Sequence, residues 1–455
     1  MPNIILLGTC DTKLEELLFT REQILTHADT TVTLLDVGRT TISNPAITVS
    51  PEELATSYAP ADAPSDISTL HRGQLSKHMA ACATNYVRKL LDRQQQDQPV
   101  TAAIIGLGGS SGTSLSAAVM RDALPMGFPK LIVSTIASGE TGPIVGETDI
   151  TLMYSIVDIA GLNTILRAVL SNAAAAIAGM AHAYHQNTLT PSSQPNNDAD
   201  ATKKTPIRLG ITMFGVTTPA VTAIRQHLAT LSAQPAARCP YAFRDTHVFH
   251  ATGHGGRAFE RLARAGALDA AIDLTTTEVA DHIVGGDDCS TAMSAGPTRL
   301  AAAAAKGIPQ VVSLGATDMA NFGARGSVPE RFGGGGAGRR LFEHNASVTL
   351  MRTSADECAR IGAFVAERLR AASRPDRVQV WVPRGGVSAM SVAGGVFEDA
   401  EADEALFAAV REGLEGSGVR VVEDARAIND EGFARAVVDA LVGMLGEGKG
   451  ESVSG

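Results

Sequence analysis

Aromatic side chains are scarce: 1 Trp, 5 Tyr and 13 Phe make up 4% of 455 residues. That argues against a binding module lined by aromatic rings. Cysteines are few and odd in number: Cys10, Cys82, Cys239, Cys289 and Cys358, with no Cys-x-x-Cys pair. A disulfide framework is excluded, and a reducing, cytoplasmic setting is expected. Positive charge is short as well, with 38 Lys+Arg against 48 Asp+Glu and a formal net charge of -10. That excludes a general nucleic-acid coat but leaves room for a local phosphate site. No run reaches the roughly 20 apolar residues of a membrane span. The tract Asn172–Ala183 contains His182 and reads as a buried or half-buried helix. What is abundant is glycine, 45 residues, and apolar material, 44%. Those values exclude wholesale disorder and suit a small-residue α/β protein with many tight loops.

Apolar runs and helical periods alternate along the chain. Asn3–Gly8 carries Ile4, Ile5, Leu6 and Leu7 in succession, the pattern of a strand in a sheet covered on both faces. A helix is predicted over Thr12–Thr26, then strands over Thr31–Asp36, Ala102–Leu107, Leu131–Ser134 and Ile150–Met153, and a long helix over Ile159–Tyr184. Residues Gln186–Thr205 lack an apolar face and are rich in Pro, Asn, Ser and Asp, as a linker is. The alternation then restarts at Arg208. The expected architecture is α/β: two Rossmann-like domains, each a mostly parallel sheet flanked by helices. Residues 1–185 form the first domain, 186–205 the linker, 206–445 the second domain and 446–455 a frayed tail.

Chemistry concentrates in loops that follow strands. Ile104–Thr113 reads IIGLGGSSGT, with Gly106, Gly108, Gly109 and Gly112 in the turn and the hydroxyls of Ser110, Ser111 and Thr113 beside them. A helix starting near Thr113 would aim free amides at an anion. The loop is neither a Walker motif nor a dinucleotide fingerprint, since residue 111 is Ser and no Gly-Lys-Ser/Thr ending follows. Its bland alternative is a tight turn without a ligand. A second loop is Gly8-Thr9-Cys10-Asp11-Thr12-Lys13. Thr9 and Thr12 could donate to a phosphate, Lys13 neutralise it, and Asp11 hold a metal or a ribose hydroxyl. Asp11 or Thr12 could equally be a plain helix cap. Cys10, near a helix start, is placed where a thiolate would be stabilised. Asp36 closes the second strand, where it could accept from a ribose or simply turn the chain. The third loop is Ser134-Thr135-Ile136-Ala137-Ser138-Gly139. In the second half, His250–Arg257 reads HATGHGGR and Asp273–Glu278 reads DLTTTE. Arg257 suits a bidentate carboxylate or phosphate. The loop between His250 and His254 holds no helical ligand spacing, so acid–base work suits one of them at least as well as metal binding, and structural hydrogen bonding suits either taken singly better than both. No dedicated protein metal site is expected.

Taken together, GTCDTKLEE (Gly8–Glu16), LLDVG (Leu34–Gly38), GLGGSSGTSL (Gly106–Leu115), PKLIVSTIASG (Pro129–Gly139), FHATGHGGRAFE (Phe249–Glu260), DLTTTEVAD (Asp273–Asp281), AGPTRL (Ala295–Leu300) and GIPQVVSLGATDMANFG (Gly307–Gly323) form one series. The series resembles the ATP-binding family named for the tomato mosaic virus resistance protein, over nearly the whole chain. The resemblance implies a nucleotide against Gly8–Lys13, Gly106–Thr113 and Ser134–Gly139, a magnesium ion with its phosphates, and a homodimer. Where the family pattern would carry an aspartate, this chain has Ser391.

Two functions follow as expectations. One is a metabolic enzyme that uses ATP and a small phosphorylated or carboxylated substrate. That substrate would lie in an interdomain cleft facing Thr217, His254, Arg257, Thr276 and Glu278, with His254, Glu278, Asp318 and Arg257 as the catalytic candidates. The other is a non-enzymatic nucleotide-binding protein that acts through protein–protein interaction.

Overall fold

The computed structural model describes residues 1–61, 63, 70–93, 100–189, 204–285, 291, 293–333 and 338–447. The chain divides into two compact units, Met1–Pro195 and Asn196–Gly455. Of the sequence-predicted linker, residues 190–203 lie outside the described residues, as do residue 292, most of the glycine run at 333–336 and the tail from 448 onward.

The N-terminal unit is a five-stranded, all-parallel sheet in the order β2-β1-β3-β4-β5, where β1 is Pro2–Gly8, β2 Thr31–Asp36, β3 Val100–Gly108, β4 Lys130–Ser134 and β5 Thr151–Tyr154. The unbroken apolar run in β1 has a simple cause. Ile5 and Leu7 enter one core with helices α3 (Arg72–Asp92) and α4 (Ser110–Ala123). Ile4 and Leu6 enter the opposite core with α1 (Cys10–Leu25) and α6 (Thr164–Leu189). A strand covered on both faces has no polar side to show. The short helices α2 (Pro51–Ser57) and α5 (Gly142–Val145) complete the unit. Against expectation, Thr164–Thr188 is long and apolar enough, by length and composition alone, to cross a membrane. Its Leu166, Leu170, Ala173, Ala174 and Ile177 are buried against this sheet.

The C-terminal unit holds a six-stranded sheet, again wholly parallel, in the order β14-β13-β9-β8-β6-β7. Its strands are β6 (Thr205–Met213), β7 (Tyr241–His250), β8 (Ala270–Thr275), β9 (Gln310–Gly315), β13 (Val378–Pro383) and β14 (Arg420–Asp424). Helices α7 (Thr218–Ala233) and α14 (Glu431–Glu447) cover one face, and α9 (Thr277–Gly285), α12 (Ala355–Arg370) and α13 (Ala400–Leu414) cover the other. Helices α8 (His254–Arg264), α10 (Ala302–Lys306) and α11 (Glu330–Gly333) are shorter. The expectation of two parallel, helix-flanked sheets holds. The unit also holds a small antiparallel sheet, β10-β12-β11, made of Met319–Phe322, Val348–Arg352 and Leu341–Asn345; the sequence reads as a strand over Ser347–Met351, but the two outer strands and the antiparallel pairing escaped that reading.

Counted among its own six strands and read from β7, the second sheet opens with the same strand order as the first: second, first, third, fourth, fifth. In sheets of this order the helices after the first and third strands leave on opposite faces. The carboxyl ends of those two strands therefore part and leave a crevice. In the N-terminal unit it lies between β1 and β3.

Candidate functional site

A cavity of about 580 Å³ occupies that crevice. Thr9, Asp11, Thr12 and Lys13 line one wall, and Gly109, Ser110, Ser111 and Gly112 another. Val37, Leu75 and Leu115 add apolar surface, and Arg39, Arg72 and Asp158 add charge. Its size and its mix of apolar wall with a few convergent polar groups are those of a small-molecule site.

The glycine-rich loop is shorter than the sequence suggested. Helix α4 begins at Ser110, three residues before the expected start, and among the described residues no side chain caps it. Thr113 N is the first amide bonded back into the chain, to Gly109 O at 2.8 Å. The amides of Ser110, Ser111 and Gly112 precede it and line the cavity. Behind them, Thr113 Oγ1 and Ser134 Oγ sit 2.7 Å apart, both wholly buried, and Thr135 N donates to Gly108 O at 3.2 Å. The third loop therefore braces the second from behind. Ser134 is a strut, and Ser138 and Gly139 are exposed. Thr135, Ser138 and Gly139 do not line the cavity.

Helix α1 starts at Cys10 and is interrupted at Lys13, whose φ of -141° and ψ of 32° are not helical. The break turns Lys13 toward Ile159, whose carbonyl accepts from Nζ. Asp36 holds the other end: wholly buried, its Oδ1 accepts from Cys10 N at 2.9 Å and from Gly38 N at 2.8 Å. Asp36 thus shapes the loop from below and does not line the cavity. Asp11 Oδ2 accepts from Arg39 N at 2.8 Å, while its Oδ1 has no hydrogen-bond partner among the described residues. The expected Cys10 thiolate is overturned. Burial, with Asp36 and Asp11 alongside, pushes the Cys10 thiol far above its ordinary value, so it stays protonated.

The matching loop of the C-terminal unit has an answer of its own. The glycines of His250–Arg257 do open a helix, but the anion at its N-terminus is the protein's. Glu278 Oε1 accepts from Gly253 N at 2.5 Å and Gly256 N at 3.0 Å. Its Oε2 takes Arg299 Nε at 2.7 Å. Arg299 is wholly buried and also pairs with Asp273 and Glu260. Glu278 is therefore held from several sides inside the fold. Thr217 and Thr276, expected to face a cleft, are wholly buried, and Thr217 Oγ1 lies 2.8 Å from Thr275 Oγ1. His254 is exposed and Arg257 half-buried. Arg257 Nη2 donates to His254 Nδ1 at 2.9 Å, and Nη1 to Ser294 O at 3.2 Å. Asp318 is buried, with Ser388 Oγ donating to its Oδ2 at 2.7 Å. Ser391 Oγ accepts from Val387 N and Ser388 N, an acceptor role inside its own turn. Among the described residues no group of three or more His, Cys, Asp or Glu is gathered as a metal cluster.

Two of these buried acids set a pH dependence. Burial raises Asp281 from 3.8 to about 8 and Asp318 from 3.8 to about 6. Between the unfolded value and those values, the folded chain holds protons that the unfolded chain has lost, so stability falls as pH rises from about 4 to about 8. The expected result is a melting temperature for the C-terminal unit that drops by about 5 °C or more between pH 5.5 and pH 8.5. Asp318→Asn should flatten the part below pH 6. A melting temperature that rises across this window would count against both assignments.

Residues 2–186 match the model of the N-terminal domain of Uncharacterised protein family UPF0261, and residues 206–445 match that of its C-terminal domain. The chain belongs to the UPF0261 family. A UPF0261 protein of Mesorhizobium japonicum is 41% identical over 97% of this chain and 99% of its own length. One of Clostridium tetani is 39% identical over 97% and 98%. The ToMV resistance protein Tm-1 of Solanum lycopersicum is 36% identical over 97% of this chain but 55% of its own length. The resemblance to the tomato protein's family therefore runs through both units of this chain, which spans just over half of the tomato protein.

Proposed function

We propose that the N-terminal unit binds ATP in the crevice between β1 and β3. The observation that carries this reading is an uncapped helix start, at Ser110–Gly112, opening on a cavity of nucleotide size at the point where the sheet reverses. The triphosphate takes the amides of Ser110, Ser111 and Gly112, with the hydroxyls of Thr9 and Thr12 and the charge of Lys13 on the facing wall. Val37, Leu75 and Leu115 give the base an apolar bed. The partnerless Oδ1 of Asp11 fits a magnesium ion, which such sites hold by one carboxylate together with phosphates and water. Magnesium would supply charge neutralisation of the phosphates.

Two readings of the consequence remain. In one, ATP is consumed; within the C-terminal unit, His254 and Arg257 keep polar groups that are not fully buried, whereas Glu278 and Asp318 are buried and engaged. A small phosphorylated or carboxylated cosubstrate is then needed. In the alternative, ATP is a structural or regulatory ligand of a protein that works through a partner. Either way we carry over two expectations, a cytoplasmic setting from the cysteine pattern and a homodimer from the resemblance.

Calorimetric titration of nucleotide-stripped protein with ATP and magnesium tests the site. One-site binding is expected, and its absence from folded protein would refute the reading. Lys13→Ala should weaken ATP by about 10-fold or more, the value of one charge-assisted contact, with little change in melting temperature. Unchanged affinity would remove Lys13 from the site. ADP appearing in step with a modified cosubstrate would select the enzyme over the regulatory reading.

A further inference from the structure

The C-terminal unit has a crevice pocket of its own, and its chemistry is the reverse of the first. A cavity of about 210 Å³ lies beyond the carboxyl ends of β6 and β7. Phe214 and Val216 follow β6, His250 ends β7, and Val348 and Leu350 on β12 close the far side. Phe214 and Leu350 form the floor and are buried in a small apolar cluster with Ala316, Met319 and Phe397 behind them. The small antiparallel sheet is thus the wall of a pocket. At the mouth stand His250, His344 and Asn345, all exposed.

We infer that this pocket binds a small, uncharged, single-ring aromatic molecule carrying one hydrogen-bonding substituent. Three observations converge. The lining has no Lys, Arg, Asp or Glu among the described residues. A phosphate or carboxylate pushed in would lose its water without gaining a lysine or arginine partner among the described lining residues. A volume of about 210 Å³ exceeds the roughly 150 Å³ of an apolar cavity known to take benzene, and leaves room for a substituent. The walls are also those an aromatic ring prefers: Phe214, already edge-on to His250 at 5.5 Å between ring centroids, and the thioether of Met293. The ring lies on the Phe214 floor, and its polar substituent points back to the imidazoles and the Asn345 amide. This ligand differs from the phosphorylated or carboxylated cosubstrate expected from the sequence, and the inference stands whether or not ATP binds the other unit.

Saturation-transfer NMR of the full chain with benzyl alcohol and 4-methylphenol, and with phenyl phosphate as the charged comparison, tests the assignment. Transfer to the two neutral probes, and at least tenfold less to phenyl phosphate, is expected. Val216→Trp fills the pocket and should abolish the transfer. His344→Ala changes an exposed strand residue outside the core and should weaken 4-methylphenol about threefold or more. No transfer to either neutral probe, equal transfer to phenyl phosphate, or binding unchanged in both variants would each overturn the proposal.

Discussion

Arg299→Met should destabilise the C-terminal unit by about 3–5 kcal/mol at pH 7, the range for removing one partner of a buried ionic network. Arg299 is wholly buried, and its three nitrogens serve three carboxylates. Nε meets Glu278 at 2.7 Å, Nη1 meets Glu260 at 3.1 Å and Asp273 at 3.0 Å, and Nη2 meets Asp273 at 2.6 Å. Each carboxylate in turn holds a piece of backbone or a neighbouring strand. Glu278 takes the amides that open α8, Glu260 takes Ala302 N at 2.7 Å, and Asp273 takes Thr212 Oγ1 at 2.7 Å. One guanidinium thus ties β8, α8, α9 and the chain before α10. Methionine fills similar volume but leaves the carboxylates without a counter-charge.

The pH dependence of that loss separates an electrostatic cause from lost packing. Burial raises the Glu260 and Glu278 carboxyls, and Arg299 is the main influence that pulls them back down. Without it their folded values climb further above the unfolded ones, so the deficit grows as pH rises above about 4.5. Urea unfolding at pH 5 and pH 7 should show the smaller loss at pH 5. Arg299→Lys should recover less than half, because a single ammonium cannot present three directed donors to three acids. A loss of about 1 kcal/mol or less, equal at both pH values, would mean that the network is marginal.

This network also marks where sequence reading stopped. The strands and the two parallel sheets were legible because burial on both faces leaves runs such as Ile4–Leu7 that little else produces. The glycine loop was legible as a place, but its helix start was set three residues late. Ser110, Ser111 and Gly112 have turn-like composition, and their helical state depends on how closely α4 lies on β3. Glu278 carried the composition of a site residue. Nothing in DLTTTE says that its partner will be an arginine 21 positions on, because that pairing is made by the fold. Strand β10 was equally hidden. Met319–Phe322 is four residues long and contains Asn321, and its extended state is defined by pairing Met319 with Arg352 and Phe322 with Thr349. The common strand order of the two sheets left no trace as sequence identity, since layer packing constrains where apolar residues fall but not which ones they are.

Gly108→Ala should separate the nucleotide site from its scaffold. A Cβ at residue 108 would sit 2.6 Å from Gly112 Cα, 2.8 Å from Gly112 C and 2.9 Å from Thr113 N. All three are main-chain atoms of the first turn of α4, so no side chain can swing aside. The helix start must lift from the end of β3, and the amides of Ser110, Ser111 and Gly112 move with it. Overpacking of this kind costs about 1–3 kcal/mol. If those amides bind the triphosphate, ATP affinity falls by about tenfold or more on top of that loss, because helix-terminus binding depends on where the amides point. Gly109→Ala is the internal control for stability. Its Cβ meets Thr135 Oγ1 at 3.6 Å, an ordinary contact, so its melting temperature should stay near the parent's. Melting curves and ATP titrations of the variants then give a clean division. A Gly108→Ala protein that melts early but binds ATP as tightly as the parent would place the nucleotide elsewhere, and would leave the glycine loop as a packing device alone. Joint loss would tie the close approach of α4 to β3 directly to binding.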